Sequence, residues 1–130
     1  MTTTLAKIVM PGQTNSRLSL YGGVLLAWMD EVAAIVARRH SRMDVVTAHI
    51  DSVDFGAPIL LGQLAEVSAS LASVGRMSMR VRVEAFGENL KTSERWRCTS
   101  ATFVMVAVDE DRRPTVVPRL SPTEGEEGVG

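Results

Sequence analysis

The chain has little of what most functional classes need. It carries one cysteine, Cys98, so no disulfide can form within it. That fits a reducing compartment. Its net charge is −1, which leaves no basic surplus for a nucleic-acid backbone. The N-terminus, MTTTLAKIVMPG, has no charged segment followed by a long apolar run, so no signal peptide or membrane segment is expected. Neither the GxxxxGK[ST] phosphate loop nor GxGxxG occurs. His40 and His49 have no metal-ligand spacing with Cys98, and no serine sits in a Ser–His–Asp pattern. These absences predict a cytoplasmic protein that needs no metal and binds neither nucleic acid nor membrane.

What is present is a globular composition, 45% hydrophobic over 130 residues, enough for one domain with one core. The chain is organised around the stretch 22–39, GGVLLAWMDEVAAIVARR. Ala, Leu and Met dominate its middle and proline is missing, which predicts a helix. Val24, Leu25, Leu26, Ala27, Trp28 and Met29 cover every direction around that helix. A helix apolar all round must be covered on most sides. It is too short and too acidic to span a bilayer, which takes roughly 20 mostly apolar residues. Arg38 and Arg39 fall in its last turn, where cations favour the helix dipole.

The remaining chain reads as strands. Residues 5–10 form a short apolar run stopped by Pro11-Gly12, and 13–21 are a polar loop. The stretch 44–55, DVVTAHIDSVDF, is rich in strand formers but alternates poorly, which predicts partial burial of both faces. Residues 63–73 alternate well. In 78–84, Met79, Val81 and Val83 oppose Arg80, Arg82 and Glu84. The link 74–77 is a hairpin turn and 86–93 a second turn. Residues 94–108 form a long strand, 114–120 an extended segment, and 121–130 a flexible acidic tail. No helices separate the later strands, so they pair antiparallel. The expectation is an α+β domain over 1–120, its sheet curled around one helix. One sheet leaves the far side of that helix bare, which predicts a two-fold dimer.

Two carboxylates in an apolar helix demand a reason. Asp30 and Glu31 point about 100° apart, so one can face the interior while the other meets solvent. One of these acids is either paired with Arg38, Arg42 or a partner chain's arginine, or held as a base or nucleophile in a cleft. Gly22 and Gly23 open the helix, where free N–H groups can hold an oxyanion, unless glycine is there only for packing. They lie about two turns, roughly 10 Å, from Asp30, so one helix cannot supply both groups to one reaction and a dimer would have to. Asn15, in the loop before the helix, is a turn residue or an amide that places a water or a carbonyl. His40 ends the helix, and His49, the one interior histidine candidate, reads as a satisfied strand residue more readily than as a ligand. The arginines 76, 80, 82, 95 and 97 read as a solvated face, some of them able to meet a phosphorylated ligand.

Three stretches resemble the hotdog-fold acyl-CoA thioesterases of the cytosolic acyl-CoA hydrolase type. They are VMPGQTN with YGGVLLAWMDEVAAIVA in 9–37, VVTAHIDSVDFGAPILLGQL in 45–64, and VGRMSMRVRVEA in 74–85 followed by ATFVMVAVDEDRRPTVVP in 101–118. The resemblance implies a hotdog fold and hydrolysis of acyl-CoA to a free acid and CoA. It implies that Asp30 is the catalytic acid and Asn15 its loop partner, and that N–H groups at Gly22 and Gly23 polarise the thioester carbonyl. It places CoA near Gly75, Arg76 and Ser78, with CoA as part of the substrate and no cofactor. Assembly as a trimer of two-fold dimers is implied too. One departure stands in the loop. The family often has Asn-x-x-Gly, and here Leu18 takes the glycine position of Asn15-Ser16-Arg17-Leu18. Two rival readings are a hotdog module that senses acyl-CoA without turnover, and an acyl-thioester hydratase or dehydratase built on His49.

Overall fold

A computed structural model describes residues 2–119. The expected acidic tail, 121–130, lies outside them. In chain order the elements are β1 (Thr2–Ile8), a single 3-10 turn (Pro11–Gln13), α1 (Gly22–Ser41), β2 (Asp44–Phe55), β3 (Leu64–Val74), β4 (Ser78–Glu88) and β5 (Arg95–Val108). The five strands make one sheet in the order β1-β3-β4-β5-β2. Every neighbouring pair is antiparallel. This is the α+β arrangement that the hotdog resemblance implies.

Helix α1 lies on the inner face of the sheet. Leu25, Trp28, Met29, Val32, Ala33, Val36 and Ala37 are buried, recurring every three or four residues along one side. They meet Ala65, Val67 and Ala69 of β3, Met79, Val81, Val83 and Ala85 of β4, and Ala101, Phe103, Met105 and Ala107 of β5, all buried. Alternation with period two puts those strand residues on one face. The helix ends at Arg42, whose left-handed backbone (φ 59) lets its N–H reach the Arg38 carbonyl at 2.7 Å.

The other side of α1 is bare. Gly23, Ala27, Glu31, Ile35 and Arg38 are exposed, so the described residues of one chain do not cover the helix all round. Strand β2 differs from the expectation of partial burial on both faces. None of its residues is buried, and Val46 and Phe55 are each 49% exposed. The reason is its place at the edge of the sheet, where it has β5 on one side only.

Two boundaries also differ. β1 begins at Thr2 and stops at Ile8, because threonines 2–4 pair with residues 68–70 of β3. β4 runs through Phe86 and Gly87, where the sequence predicts a turn. Gly87 is a strand glycine because the Trp96 ring covers it, and a Cβ there would meet that ring at 2.5 Å. The extended segment after β5 turns back along the sheet. The Thr115 N–H bonds the Ala107 carbonyl and the Val117 N–H bonds the Arg76 carbonyl, both at 2.9 Å. Its end reaches α1, where His40 Nε2 bonds the Pro118 carbonyl at 2.5 Å.

Candidate active site

Asp30 and Glu31 divide as their spacing predicts. Glu31 is exposed, and Asp30 is half-buried between the helix and the sheet. Asp30 forms no ion pair among the described residues. Its Oδ1 accepts a short hydrogen bond from the Thr47 hydroxyl of β2. Thr47 pairs with Met105 across the ladder, and its oxygen also lies 3.5 Å from the Met105 sulfur. The register of β2 slips directly after Thr47, where Ala48 is an extra residue. Such bulges re-aim side chains beside functional sites. Nothing in the sequence singles out Thr47, one more residue of a strand-forming run. Only packing the helix on the sheet brings it to Asp30.

The structure separates the two glycines at the helix start. Tyr21 provides no side-chain cap, and the first N–H groups of a helix have no partner within it. A Cβ on Gly22 would sit 3.3 Å from the Phe55 ring, so Gly22 serves the packing of that ring. A Cβ on Gly23 would meet nothing within 4 Å. No contact among the described residues requires glycine there, and the space a side chain would take is open.

Asn15 sits in a tight hairpin loop that leads straight to the helix. The Thr14–Leu20 bridge closes the loop, and Asn15 N–H bonds the Ser19 carbonyl at 2.9 Å. The Asn15 side-chain carbonyl accepts the N–H groups of Arg17 (2.9 Å) and Ser19 (3.1 Å). With its oxygen so committed, the amide NH2 is the group left to act on a ligand. Leu18 completes the turn with φ 60. A left-handed backbone costs a non-glycine residue about 1–2 kcal/mol, so leucine occupies the position glycine would fill without strain.

Gly75, Arg76 and Ser78 are brought together in the β3–β4 turn. Gly75 N–H bonds the Ser78 carbonyl at 2.8 Å, and a Cβ on Gly75 would lie 3.0 Å from Ser78 Oγ. Arg76 is exposed and makes no ion pair among the described residues. Met79, just past this turn, pairs with Met105, which pairs with Thr47. Two strand spacings, about 10 Å, thus separate the start of β4 from the Asp30 partner.

The other candidates do not join this site. His49 is not interior: its side chain is 63% exposed on the edge strand and lies 3.9 Å from Asp51. Arg80 lies near Asp51, Arg95 bonds Glu66 and Arg97 pairs with Glu84, so these arginines form the solvated outer face. Burial pushes the Cys98 thiol above its usual pKa and keeps it unreactive. Among the described residues no cluster of His, Cys, Asp and Glu could hold a metal ion.

Comparison with known proteins agrees with this architecture. Residues 19–94 match the thioesterase superfamily. An uncharacterized acyl-CoA thioester hydrolase of Zymomonas mobilis is 40% identical over 116 residues, covering 89% of this chain and 78% of that protein. The crystal structure of an apo-hexameric acyl-CoA thioesterase superposes with a TM-score of 0.88 at 38% identity, over 96% of this chain and 82% of that one. Two crystal structures of an acyl-CoA hydrolase from Staphylococcus aureus, an aspartate-to-alanine and a threonine-to-alanine mutant, superpose with TM-scores of 0.84 and 0.83. Both are 30% identical and cover 96% of this chain, which spans 78% and 79% of theirs. The two mutated positions stand 17 residues apart, the same separation as Asp30 and Thr47.

Proposed function

This chain belongs to the thioesterase superfamily, and we propose that it hydrolyses acyl-CoA thioesters to a free acid and CoA. The observation that carries this reading is the Asp30–Thr47 pair. Thr47 holds one carboxylate oxygen of Asp30, and the second oxygen is left to take a proton from water. The water oxygen attacks the thioester carbon and its proton passes to Asp30. The tetrahedral intermediate then expels the thiolate as the C–S bond breaks, and the thiolate takes up the proton to give CoA. Attack by Asp30 itself, through an anhydride that water later opens, would use the same residue.

The oxyanion needs donors placed where its charge develops. Gly23, in the first turn of the helix, offers an N–H without an intrahelical partner, and Asn15 offers its amide NH2. Gly23 lies seven residues before Asp30, about 10 Å along the helix, so the helix donor and the base of one reaction come from two chains. The site is therefore formed across a two-fold dimer. The bare side of α1 and the exposed edge of β2 supply surface for that contact, and three such dimers would make the hexamer seen in a related thioesterase. The turn at Gly75, Arg76 and Ser78 is the proposed seat of CoA, with Arg76 meeting its phosphates.

A thioester needs no metal when the water is activated and the oxyanion held, so the proposed reaction uses no cofactor. No helix among the described residues is long and apolar enough to cross a membrane. The cytoplasmic reading rests on the likeness to a cytosolic acyl-CoA thioester hydrolase, 31% identical over 95% of this chain, and a net charge of −1 gives no basic surplus for nucleic acid. Hydration of an enoyl thioester is disfavoured because His49 is exposed and His40 is engaged at the helix end. The deciding experiment incubates the protein with a set of acyl-CoAs and a thiol reagent. Release of free thiol supports hydrolysis. Binding without thiol would mean a sensor, and a change in enoyl absorbance would mean a hydratase.

A further inference from the structure

Leu18 is accounted for neither by its backbone nor by the core of its own chain. Its φ of 60 belongs to the position that closes a three-residue hairpin loop, which glycine or asparagine fills most easily. Its side chain is nonetheless a branched hydrocarbon, and it is 55% exposed. Two further leucines stand beside the loop. Ser19 bridges to Leu60, and the Leu61 N–H bonds the Leu18 carbonyl at 2.8 Å. Leu60 and Leu61 are 41% and 38% exposed, so three leucines that neighbour one another along the backbone, the lip, lie outside the core.

The lip adjoins Asn15. The Leu18 N–H closes the turn on the Asn15 carbonyl at 3.0 Å, and the ends of such a turn lie within about 7 Å of each other. Leu18 is therefore one of the side chains nearest to any group that the Asn15 amide holds. We infer that Leu18, with Leu60 and Leu61, is the surface that receives the hydrocarbon chain of the acyl group, so that the enzyme favours extended alkyl acyl groups over acetyl. This rests on the hydrolase reading above. Two arms leave a thioester. The CoA arm carries amides and phosphates, which need hydrogen-bond partners, and three leucine side chains offer none. The acyl arm is hydrocarbon and gains by leaving water.

The test measures kcat/KM for acetyl-, butyryl- and octanoyl-CoA with wild type, Leu18→Asn and Leu18→Gly. Asparagine and glycine both tolerate the left-handed backbone, so the turn and Asn15 stay in place. The octanoyl-to-acetyl ratio should fall about tenfold in both variants, the order expected when one leucine no longer shields apolar surface. Tm should stay level or rise, which tells loss of the side chain from misfolding. Butyryl-CoA should fall between the two. An unchanged ratio would overturn the inference while leaving hydrolysis standing. So would a uniform loss across all three substrates, which would make the loop only a support for Asn15. A shift in oligomeric state by light scattering with the ratio unchanged would make the lip a subunit contact and overturn it too. Thiol release from none of the substrates by wild type would remove the hydrolase reading and this inference together.

Discussion

The Thr47 hydroxyl donates its hydrogen bond to the Asp30 carboxylate, tying edge strand β2 to the middle of helix α1. A hydroxyl has one proton to give, and the charged oxygen takes it in preference to the sulfur of Met105, which stands 3.5 Å away. The bond fixes where the second carboxylate oxygen points. Thr47→Val keeps the shape and removes the donor. It should lower kcat about tenfold to a hundredfold, the range set by a hydrogen bond to a charged group, with little change in KM. Steady-state kinetics on one acyl-CoA decide this, and a wild-type kcat in the variant would remove Thr47 from the site.

Gly23 gives a second prediction, because fold and function should respond in opposite directions. A Cβ there meets nothing within 4 Å among the described residues, and alanine within a helix is more stable than glycine by up to about 1 kcal/mol. Gly23→Ala should therefore keep or raise Tm while lowering kcat, since the added methyl fills the space where the thioester carbonyl would lie. Thermal denaturation and kinetics on the same preparation test it. A gain in stability with full activity would leave the oxyanion to other donors.

Arg76 should affect binding alone. Its backbone is held by Val117 and its exposed side chain is free to meet phosphate. A contact made equally in the ground and transition states changes KM and not kcat. Arg76→Ala should raise KM for acyl-CoA severalfold, and the effect should shrink on an acyl-pantetheine thioester that lacks the nucleotide. Equal KM values for variant and wild type on acyl-CoA would move the nucleotide site elsewhere.

The bare helix face and edge strand predict self-association. Light scattering at micromolar concentration should give a mass that is an even multiple of the 14.1 kDa chain, with six chains expected. An active monomer would contradict a site formed across two chains.

The parts of this account that could be read from the sequence are those that depend on local pattern. Met79, Val81 and Val83 alternate with charged residues, and β4 forms there. The helix begins at Gly22 as its composition indicates, and β2 occupies 44–55 as expected. What could not be read depends on contacts through space. Gly87 looked like a turn residue because nothing local announces that Trp96 covers it. His49 looked interior because an edge strand and a central strand can share one composition. Thr47 reaches Asp30 only once α1 packs on the sheet. The left-handed backbone of Leu18 is equally silent in the sequence, since leucine is not a residue that signals it.

The central claim is that Asp30 activates the attack on the thioester. The most direct measurement is kcat of Asp30→Asn, with circular dichroism and oligomeric mass confirming an intact fold. Asparagine keeps the volume of the side chain but can neither take a proton from water nor attack the carbonyl effectively. The account predicts a loss of about a hundredfold or more, the least that a positioned general base supplies. A variant that folds, assembles and retains most of the wild-type rate would contradict it.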